Sequence, residues 1–465
     1  MKIQQIYTGC LAQGTYYIES NGEVAIIDPL REVQQYIDKA SENNAKIKYI
    51  FETHFHADFV SGHITLAEKT NAKIIYGPTA ETQFESYIAK DGEVFNVGDV
   101  SITAIHTPGH TMESTCYLLK DKKGENHALF SGDTLFLGDV GRPDLAQKGT
   151  VTQEDLAGLL YDSLRTKIMI LEDNVTVYPA HGAGSACGKN LSKETIGTIG
   201  NQKETNYALR SDMTKEEFVT EVTDGLLAPP AYFPMNVKLN KEGYNSIDDV
   251  LKKGAKALSV SEFETIANTS GALIIDVRHQ SEFIKGFIPQ SIFIGLGGTF
   301  APWVGALVKN IKQPILLVTP QGEEKETIIR LSRVGFDNVL GYLNGSFKSW
   351  KTAGKEVDVL ESVAANVLET VTDKSVIFDV RKPGEYLNEH IKNVENTPLD
   401  FLNDHINSFP LKNKFYLHCA GGYRSVIAAS ILKARGFQNV VDVAGGFKAI
   451  LQTDVLTIKQ SCTTM

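Results

Sequence analysis

The chain has 465 residues, a formal net charge of −10 with an isoelectric point near 5.6, and 42% hydrophobic residues. That length suggests roughly three domains with room for real cores, and the acidic balance, without a basic stripe, argues against a nucleic-acid partner. No stretch approaches the run of about 20 apolar residues that spans a bilayer. The N-terminal Met1-Lys2-Ile3-Gln4-Gln5 has no secretory pattern, and five irregularly spaced cysteines fit single thiols in a reducing setting, cytoplasmic or the interior of an organelle.

In chain order, Tyr16-Tyr17-Ile18 and Val24-Ala25-Ile26-Ile27-Asp28-Pro29 predict two strands about a turn at Asn21-Gly22. A helix follows over residues 33–40. Ile47-Lys48-Tyr49-Ile50-Phe51 predicts a buried strand running into Thr53-His54-Phe55-His56-Ala57-Asp58-Phe59-Val60-Ser61-Gly62-His63. Imidazoles and a carboxylate in a loop past a strand end can converge on one metal ion, whereas alternation inside the strand would send neighbours to opposite faces. A polar loop that merely contains these residues is the alternative. Three later strands end the same way. Residues 101–105 lead to His106-Thr107-Pro108-Gly109-His110-Thr111, residues 128–130 to Ser131-Gly132-Asp133-Thr134, and residues 175–178 to Pro179-Ala180-His181-Gly182. Glycines beside Asp133 and His181 permit turns that aim those side chains at one point.

This constellation resembles the metallo-β-lactamase superfamily, whose pattern is HxHxDH followed by His, Asp and His on later strand ends. The resemblance covers residues 1–235 and implies an αββα sandwich with the site at one edge. Phe59 stands where that motif has its last His, and a hydrocarbon ring cannot ligate a metal, so a mononuclear site is expected. Together with Gly141-Arg142-Pro143-Asp144-Leu145, the pattern looks like the persulfide dioxygenases of the ethylmalonic-encephalopathy-protein type. That resemblance implies one non-haem Fe(II) per chain, carried over onto His54, His110 and Asp133. His56, Asp58 and His181 then orient the ligands, or are themselves ligands of a retained zinc. Two His and one carboxylate leave three coordination positions, enough for a thiol-derived sulfur and O2.

The glycine-rich Gly182-Ala183-Gly184-Ser185-Ala186-Cys187-Gly188-Lys189-Asn190 predicts a tight path whose amides can receive an anion. Cys187 is either a sulfur relay or a packed thiol. Cys10 and Cys116 are expected to be packed, and Cys462 lies in the terminal stretch. Arg142, Lys189 and Arg210 are candidates to meet the anionic body of a thiol, with ordinary ion pairing as the alternative. Pro229, Pro230, Pro234 and Gly243 predict an extended connection, with a linker over residues 236–256. Tyr232, Phe233 and Met235 are expected to pack on the first domain.

The remaining chain is an internal repeat of small parallel α/β domains, over residues 257–357 and 358–465. Ile274-Ile275-Asp276-Val277-Arg278 matches Ile377-Phe378-Asp379-Val380-Arg381, followed by Glu282-Phe283 and Glu385-Tyr386; Gly345-Ser346-Phe347-Lys348 matches Gly445-Gly446-Phe447-Lys448. In the second copy a strand leads into His418-Cys419-Ala420-Gly421-Gly422-Tyr423-Arg424-Ser425 and a helix over residues 426–435. A thiol at a strand end before a glycine loop and a helix N-terminus favours the thiolate or persulfide, and Arg424 adds a fixed charge. This looks like an active rhodanese loop with Cys419 as nucleophile and Gly421, Gly422 and Tyr423 as candidate substrate contacts. The layout also resembles cysteine phosphatases, but the short spacing from Cys419 to Arg424 favours sulfur. The first copy reads Leu317-Val318-Thr319-Pro320-Gln321-Gly322-Glu323-Glu324 there and resembles an inactive rhodanese domain, suited to spacing or to contact in a homo-oligomer, dimer or tetramer.

The whole chain thus resembles a persulfide dioxygenase fused to one degenerate and one active rhodanese domain. The resemblance implies oxidation of a small thiol persulfide (glutathione, coenzyme A or a bacterial thiol) by O2 to sulfite, coupled to sulfur transfer through Cys419 that forms or uses thiosulfate in sulfide detoxification. A glyoxalase II-type thioester hydrolase and a non-oxygenase sulfur carrier or persulfide sensor are the alternatives.

Overall fold

The computed structural model describes residues 1–147, 150–371, 373 and 376–459, so Cys462 lies outside the described residues. The chain divides into two compact units, Met1–Ile247 with Ser332–Gly335, and Asp248–Leu331 with Phe336–Met465.

The first unit is a sandwich of two six-stranded sheets. One sheet runs in chain order through β1 (Lys2–Thr8), β2 (Gln13–Ser20), β3 (Glu23–Ile27), β4 (Lys46–Phe51), β5 (Lys73–Tyr76) and β6 (Tyr87–Ile88). The other comprises β7 (Val94–Val97), β8 (Val100–His106), β9 (Thr115–Lys120), β10 (Asn126–Gly132), β11 (Thr176–Pro179) and β12 (Gly197–Thr198). Alternation along the strands explains the layers. Tyr16 and Ile18 of β2 meet Phe95, Tyr117 and Phe130 in the core between the sheets. Tyr17, between them, faces the opposite side, where it packs with Tyr36 of α1 (Gln34–Glu42) and Leu66 of α2 (His63–Thr70). On the outer face of the second sheet, Leu118, Leu129 and Val177 are covered by Leu160 of α3 (Gln153–Ser163), Ile199 of α4 (Ile199–Thr205) and Phe218 of α5 (Lys215–Thr223). Each large apolar side chain buried this way contributes about 1.5–3 kcal/mol. The expected αββα layering is therefore present. β4, β8, β10 and β11 all end at the same edge, and their following loops carry His54, His110, Asp133 and His181.

The connection expected to be extended is helical instead. α6 spans Phe233–Glu242 and α7 spans Ile247–Gly254. Pro234 lies in the first turn of α6, where its missing N–H forfeits no helical bond, and Gly243, at φ +108°, ends the helix rather than forbidding it. Tyr232 and Phe233 are buried and Met235 half-buried, as expected for a segment packed on the first unit.

The second unit holds the repeat as two five-stranded, wholly parallel sheets. The first copy uses β13 (Ala257–Leu258), β14 (Leu273–Asp276), β15 (Ile292–Phe293), β16 (Ile315–Val318) and β17 (Val339–Leu343), with α8 (Val260–Ser270), α9 (Gln280–Phe283), α10 (Phe300–Leu307), α11 (Glu324–Arg333) and α12 (Ser346–Thr352) around them. The second uses β18 (Glu361–Val363), β19 (Ile377–Asp379), β21 (Glu395–Asn396), β22 (Phe415–His418) and β23 (Val440–Val443), with α13 (Pro383–Asn388), α14 (Tyr423–Ala434) and α15 (Gly446–Ile450); β20 (Glu389–Ile391) and β24 (Thr457–Lys459) form a separate ribbon. The repeat extends to side chains. Arg278 forks onto Asp276 and lies over Phe347, and Arg381 forks onto Asp379 and lies over Phe447. Among the described residues no helix is long and apolar enough to cross a membrane.

Candidate metal centre and thiol loop

The metal-loop geometry begins behind the loop, at the end of β3. Asp28 sits in the left-handed region, φ +51°, and its carboxylate accepts from the Thr53 N–H at 2.8 Å and the Thr53 hydroxyl at 2.9 Å. Having donated its proton to Asp28, the Thr53 hydroxyl can only accept from Nδ1–H of His54, 3.0 Å away. That leaves the Nε2 lone pair of His54 facing Asp133 Oδ2 at 3.7 Å. His110 repeats the logic: its Nδ1 meets the Arg142 carbonyl at 2.8 Å, and Nε2 lies 3.3 Å from Asp133 Oδ2. Nδ1 of His181 meets the Ala12 carbonyl at 3.3 Å, and its Nε2 lies 3.6 Å from Asp133 Oδ1 and 3.5 Å from Asp58 Oδ2.

Three imidazoles thus turn their Nε2 atoms toward one carboxylate, all of them buried. Burial, reinforced by His56, His110 and His181, holds His54 well below the ordinary histidine range. Both Asp133 oxygens, Asp58 Oδ1 and His181 Nε2 lack a hydrogen-bond partner. Buried, unpaired acceptors facing one another are unfavourable unless a cation sits among them, so these residues fit a metal. The ligand atoms of His54, His110 and Asp133 lie within 4.8 Å of one another, as do those of His56, Asp58 and His181, and those of Asp133, His181 and Cys187.

His56 also faces away from this cluster. Its Nε2 is 3.1 Å from Asp28 Oδ1 and 3.6 Å from Glu52 Oε2. Burial acts to lower its pKa, but Asp28, Glu52 and Asp58 reverse the effect and push it up to about 9. Phe59 is fully buried with its ring 4.3 Å from that of His56, so the position that cannot ligate instead packs the loop from within. Asp28, Glu52 and Thr53 had no role in the sequence reading. Asp28 carried the same signal as the ligands, an acid at a strand end.

Arg142, a candidate substrate contact in the sequence, is consumed by the fold. Its guanidinium makes a bidentate pair with Asp144 at 2.6 and 2.7 Å and donates to the carbonyls of Ala186 and Leu227 at 3.2 and 2.6 Å. Two of the amides expected to receive an anion, those of Lys189 and Asn190, instead donate to Asp139 Oδ2, each at 2.6 Å. The Lys189 ammonium is held by the carbonyls of Glu221 and Asp224, and Arg210 is a solvent-exposed partner of Asp212. Cys187 is buried beside the cluster, and burial, with Asp58 and Asp133 adding to it, pushes its thiol well above the ordinary range. Cys116 is fully buried, whereas Cys10 is half-buried.

In the second unit Cys419 follows β22 directly, and α14 begins four residues later, behind Gly422 at φ +95°. Its Sγ accepts from the Gly422 N–H at 3.1 Å, with the Ser425 hydroxyl at 3.6 Å. Ser425 donates to buried Asp442 at 2.7 Å. The loop is braced from beneath: the Phe447 N–H donates to the Cys419 carbonyl at 2.6 Å and the Lys448 N–H to that of Ala420 at 3.1 Å. Arg424 does not stand free at the rim, because it forks onto Glu385 at 2.6 and 2.8 Å. Gly421 is exposed, while Tyr423 turns out of the loop and donates to the Gly295 carbonyl of the first copy at 2.6 Å. In that copy Thr319 follows β16 as Cys419 follows β22, with no cysteine at that position.

Comparison with known proteins agrees with this architecture. The metallo-beta-lactamase superfamily model matches residues 8–181, and the rhodanese-like domain model matches residues 259–353 and 363–453. A cytoplasmic hydroxyacylglutathione hydrolase of Arabidopsis thaliana is 32% identical over 39% of this chain and 67% of its own length. The chain spans only 58 to 61% of the other hydroxyacylglutathione hydrolases it resembles to a similar degree. A crystal structure described as a metallo-beta-lactamase from Staphylococcus aureus subsp. aureus COL is 30% identical, with a TM-score of 0.64, and 74% of this chain covers 98% of that one. A structure of ETHE1 from Myxococcus xanthus is 26% identical, with a TM-score of 0.44, over 52% of this chain and 98% of that one. On fold, site and sequence together, the chain belongs to the metallo-beta-lactamase superfamily and carries two rhodanese-like domains behind its metal-binding fold.

Proposed function

We propose that this protein is a persulfide dioxygenase coupled to sulfur transfer. One observation carries the reading: a buried two-His-one-carboxylate set, His54, His110 and Asp133, with Phe59 at a position that cannot ligate, shares a chain with a loop whose buried Cys419 accepts from the Gly422 N–H. A mononuclear ferrous ion held by those three residues would supply redox chemistry with O2, which an all-protein site lacks. The net reaction takes a thiol persulfide, O2 and water to the thiol and sulfurous acid, the sulfane sulfur giving up four electrons to O2. Glutathione, coenzyme A or a bacterial thiol serves as the carrier. Thr53, Arg142 and Ala12 keep the Nδ1 protons of His54, His110 and His181 in place, so their Nε2 atoms remain available.

In the second unit Cys419 Sγ attacks the sulfane sulfur of a persulfide. A Cys419 S–S bond forms as the donor's S–S bond breaks, and the donor leaves as its thiol with the proton. Sulfite then takes the outer sulfur, giving thiosulfate and restoring Cys419, with no external oxidant. The Gly422 N–H bears on the sulfur throughout. The test is iron content in protein purified without oxygen, with oxygen uptake on glutathione persulfide. Cys419→Ser keeps the uptake and loses thiosulfate formation.

A second reading follows from the names of the relatives. A hydroxyacylglutathione hydrolase-type enzyme would cleave a glutathione thioester with metal-activated water. Thioester cleavage without oxygen uptake would establish it and sink the dioxygenase.

A further inference from the structure

The metal loop is held by a residue that lies beyond residue 181, where the superfamily match ends. Asn240, buried near the end of α6, spends its whole carboxamide on that loop. Its Nδ2 donates to the carbonyls of His56 and Phe59, each at 2.8 Å, and its Oδ1 accepts from the Ser61 N–H at 2.9 Å. Residues 56–60 lie in no strand or helix, so the carbonyls of His56 and Phe59 need a partner from outside the loop's own secondary structure. Ala57 and Asp58 lie between the two carbonyls, so one side chain sets the turn that carries His56 and Asp58.

We propose that Asn240 is the positioning residue of the metal loop. It fixes the turn over residues 56–59 in the metal-free protein, so that His56 and Asp58 already face His181 before any ion binds. α6 then belongs to the catalytic unit rather than to a connection between domains. The requirement is specific to the side chain. Asn supplies two donors and an acceptor in one plane, Asp supplies no donor, Leu supplies neither, and Gln is one methylene too long. Asn236, one turn earlier and fully buried, finds no hydrogen-bond partner among the described residues for either amide atom. It is a matched control for burying an amide on this helix.

This inference rests on the site binding a metal, but not on which metal or which reaction. The experiment compares wild type, Asn240→Leu and Asn236→Leu by amide hydrogen exchange of the metal-free full chain and by Co(II) titration followed in the visible spectrum. Asn240→Leu is expected to speed exchange at Ser61 by about ten-fold or more and to weaken Co(II) binding by about ten-fold with an altered ligand-field spectrum. Asn236→Leu is expected to do neither. If Asn240→Leu fails to fold, Asn240→Asp carries the test: it keeps an acceptor for Ser61 and loses both donors, so Co(II) should bind more weakly while Ser61 stays protected. Unchanged Co(II) affinity in the folded Asn240 variant, or the same loss in Asn236→Leu, overturns the proposal. Absence of oxygen uptake by wild type would remove the dioxygenase reading and leave both of these readouts standing.

Discussion

The Arg142 carbonyl accepts from Nδ1 of His110 at 2.8 Å, while the Arg142 side chain pins Asp144, Ala186 and Leu227. A candidate ligand is thereby held in the tautomer that frees Nε2 by a residue whose own guanidinium is paired with Asp144. Arg142→Lys keeps the charge and loses the fork onto Asp144, so the turn that presents the Arg142 carbonyl to His110 is held less firmly. The variant should melt earlier and lose metal on dialysis, while the metal-loaded fraction keeps its KM. Calorimetry with metal analysis checks this. A raised KM at full metal affinity would instead put Arg142 against the substrate.

Gly446 gives a sharper test of the thiol loop. It lies at φ +55°, and a Cβ there would come within 2.3 Å of the Cys419 carbonyl and 2.9 Å of the Gly421 nitrogen. Ser346 occupies the matching place in the first copy at φ +57°, so the backbone shape alone tolerates a side chain. What Gly446→Ala should lose is contact with the active loop. Sulfur transfer is expected to fall by about a hundred-fold, the scale of an ångström's misplacement, while oxygen uptake is retained. Transfer activity near wild type would mean the loop moves aside at little cost.

Why some of these residues were legible from sequence and others were not follows from where their partners lie. His54, His110, Asp133 and His181 each follow an apolar run, and strand ends along one sheet edge must lie close together, so the cluster could be read. Asp28 carried that signal too but serves the loop from behind through Thr53. Asn240, Gly446 and Glu385 act on loops far away in sequence, 184, 27 and 39 residues from His56, Cys419 and Arg424. No local pattern marks such a pairing. α6 was missed for a different reason: Pro234 was read as a breaker, although a proline in the first turn of a helix breaks no bond.

Asp442 should leave a signature in pH. Burial pushes its carboxyl up to about 6 from an ordinary 3.8, despite hydrogen bonds from Ser425 and Ser362. The folded state therefore holds a proton that the unfolded chain releases, and Asp442's contribution is present below pH 3.8 and is lost as pH rises through 6. The change is at most about 3 kcal/mol. Asp442→Asn cannot titrate, so the variant should gain stability relative to wild type between pH 4 and pH 7. Urea unfolding of both proteins across that range measures the difference directly, and parallel curves would place the titration elsewhere.

Under the proposed sulfur transfer, the pairing of Glu385 with Arg424 should set how much of that charge a substrate meets. Burial opposes the charged carboxylate, but the fork from Arg424 outweighs it and holds Glu385 below its usual range. A dianion such as thiosulfate, if it is the substrate, would share a guanidinium that is already paired. Glu385→Gln keeps one acceptor for Arg424 and removes the competing charge, so KM for thiosulfate should fall several-fold, and the gain should shrink with added salt because the pair is partly exposed. The turnover number should fall as well, since one neutral acceptor positions the guanidinium less firmly than a bidentate carboxylate. Initial rates at two ionic strengths separate the terms. A KM that rises together with a falling kcat would show that Glu385 serves only to hold Arg424 in place.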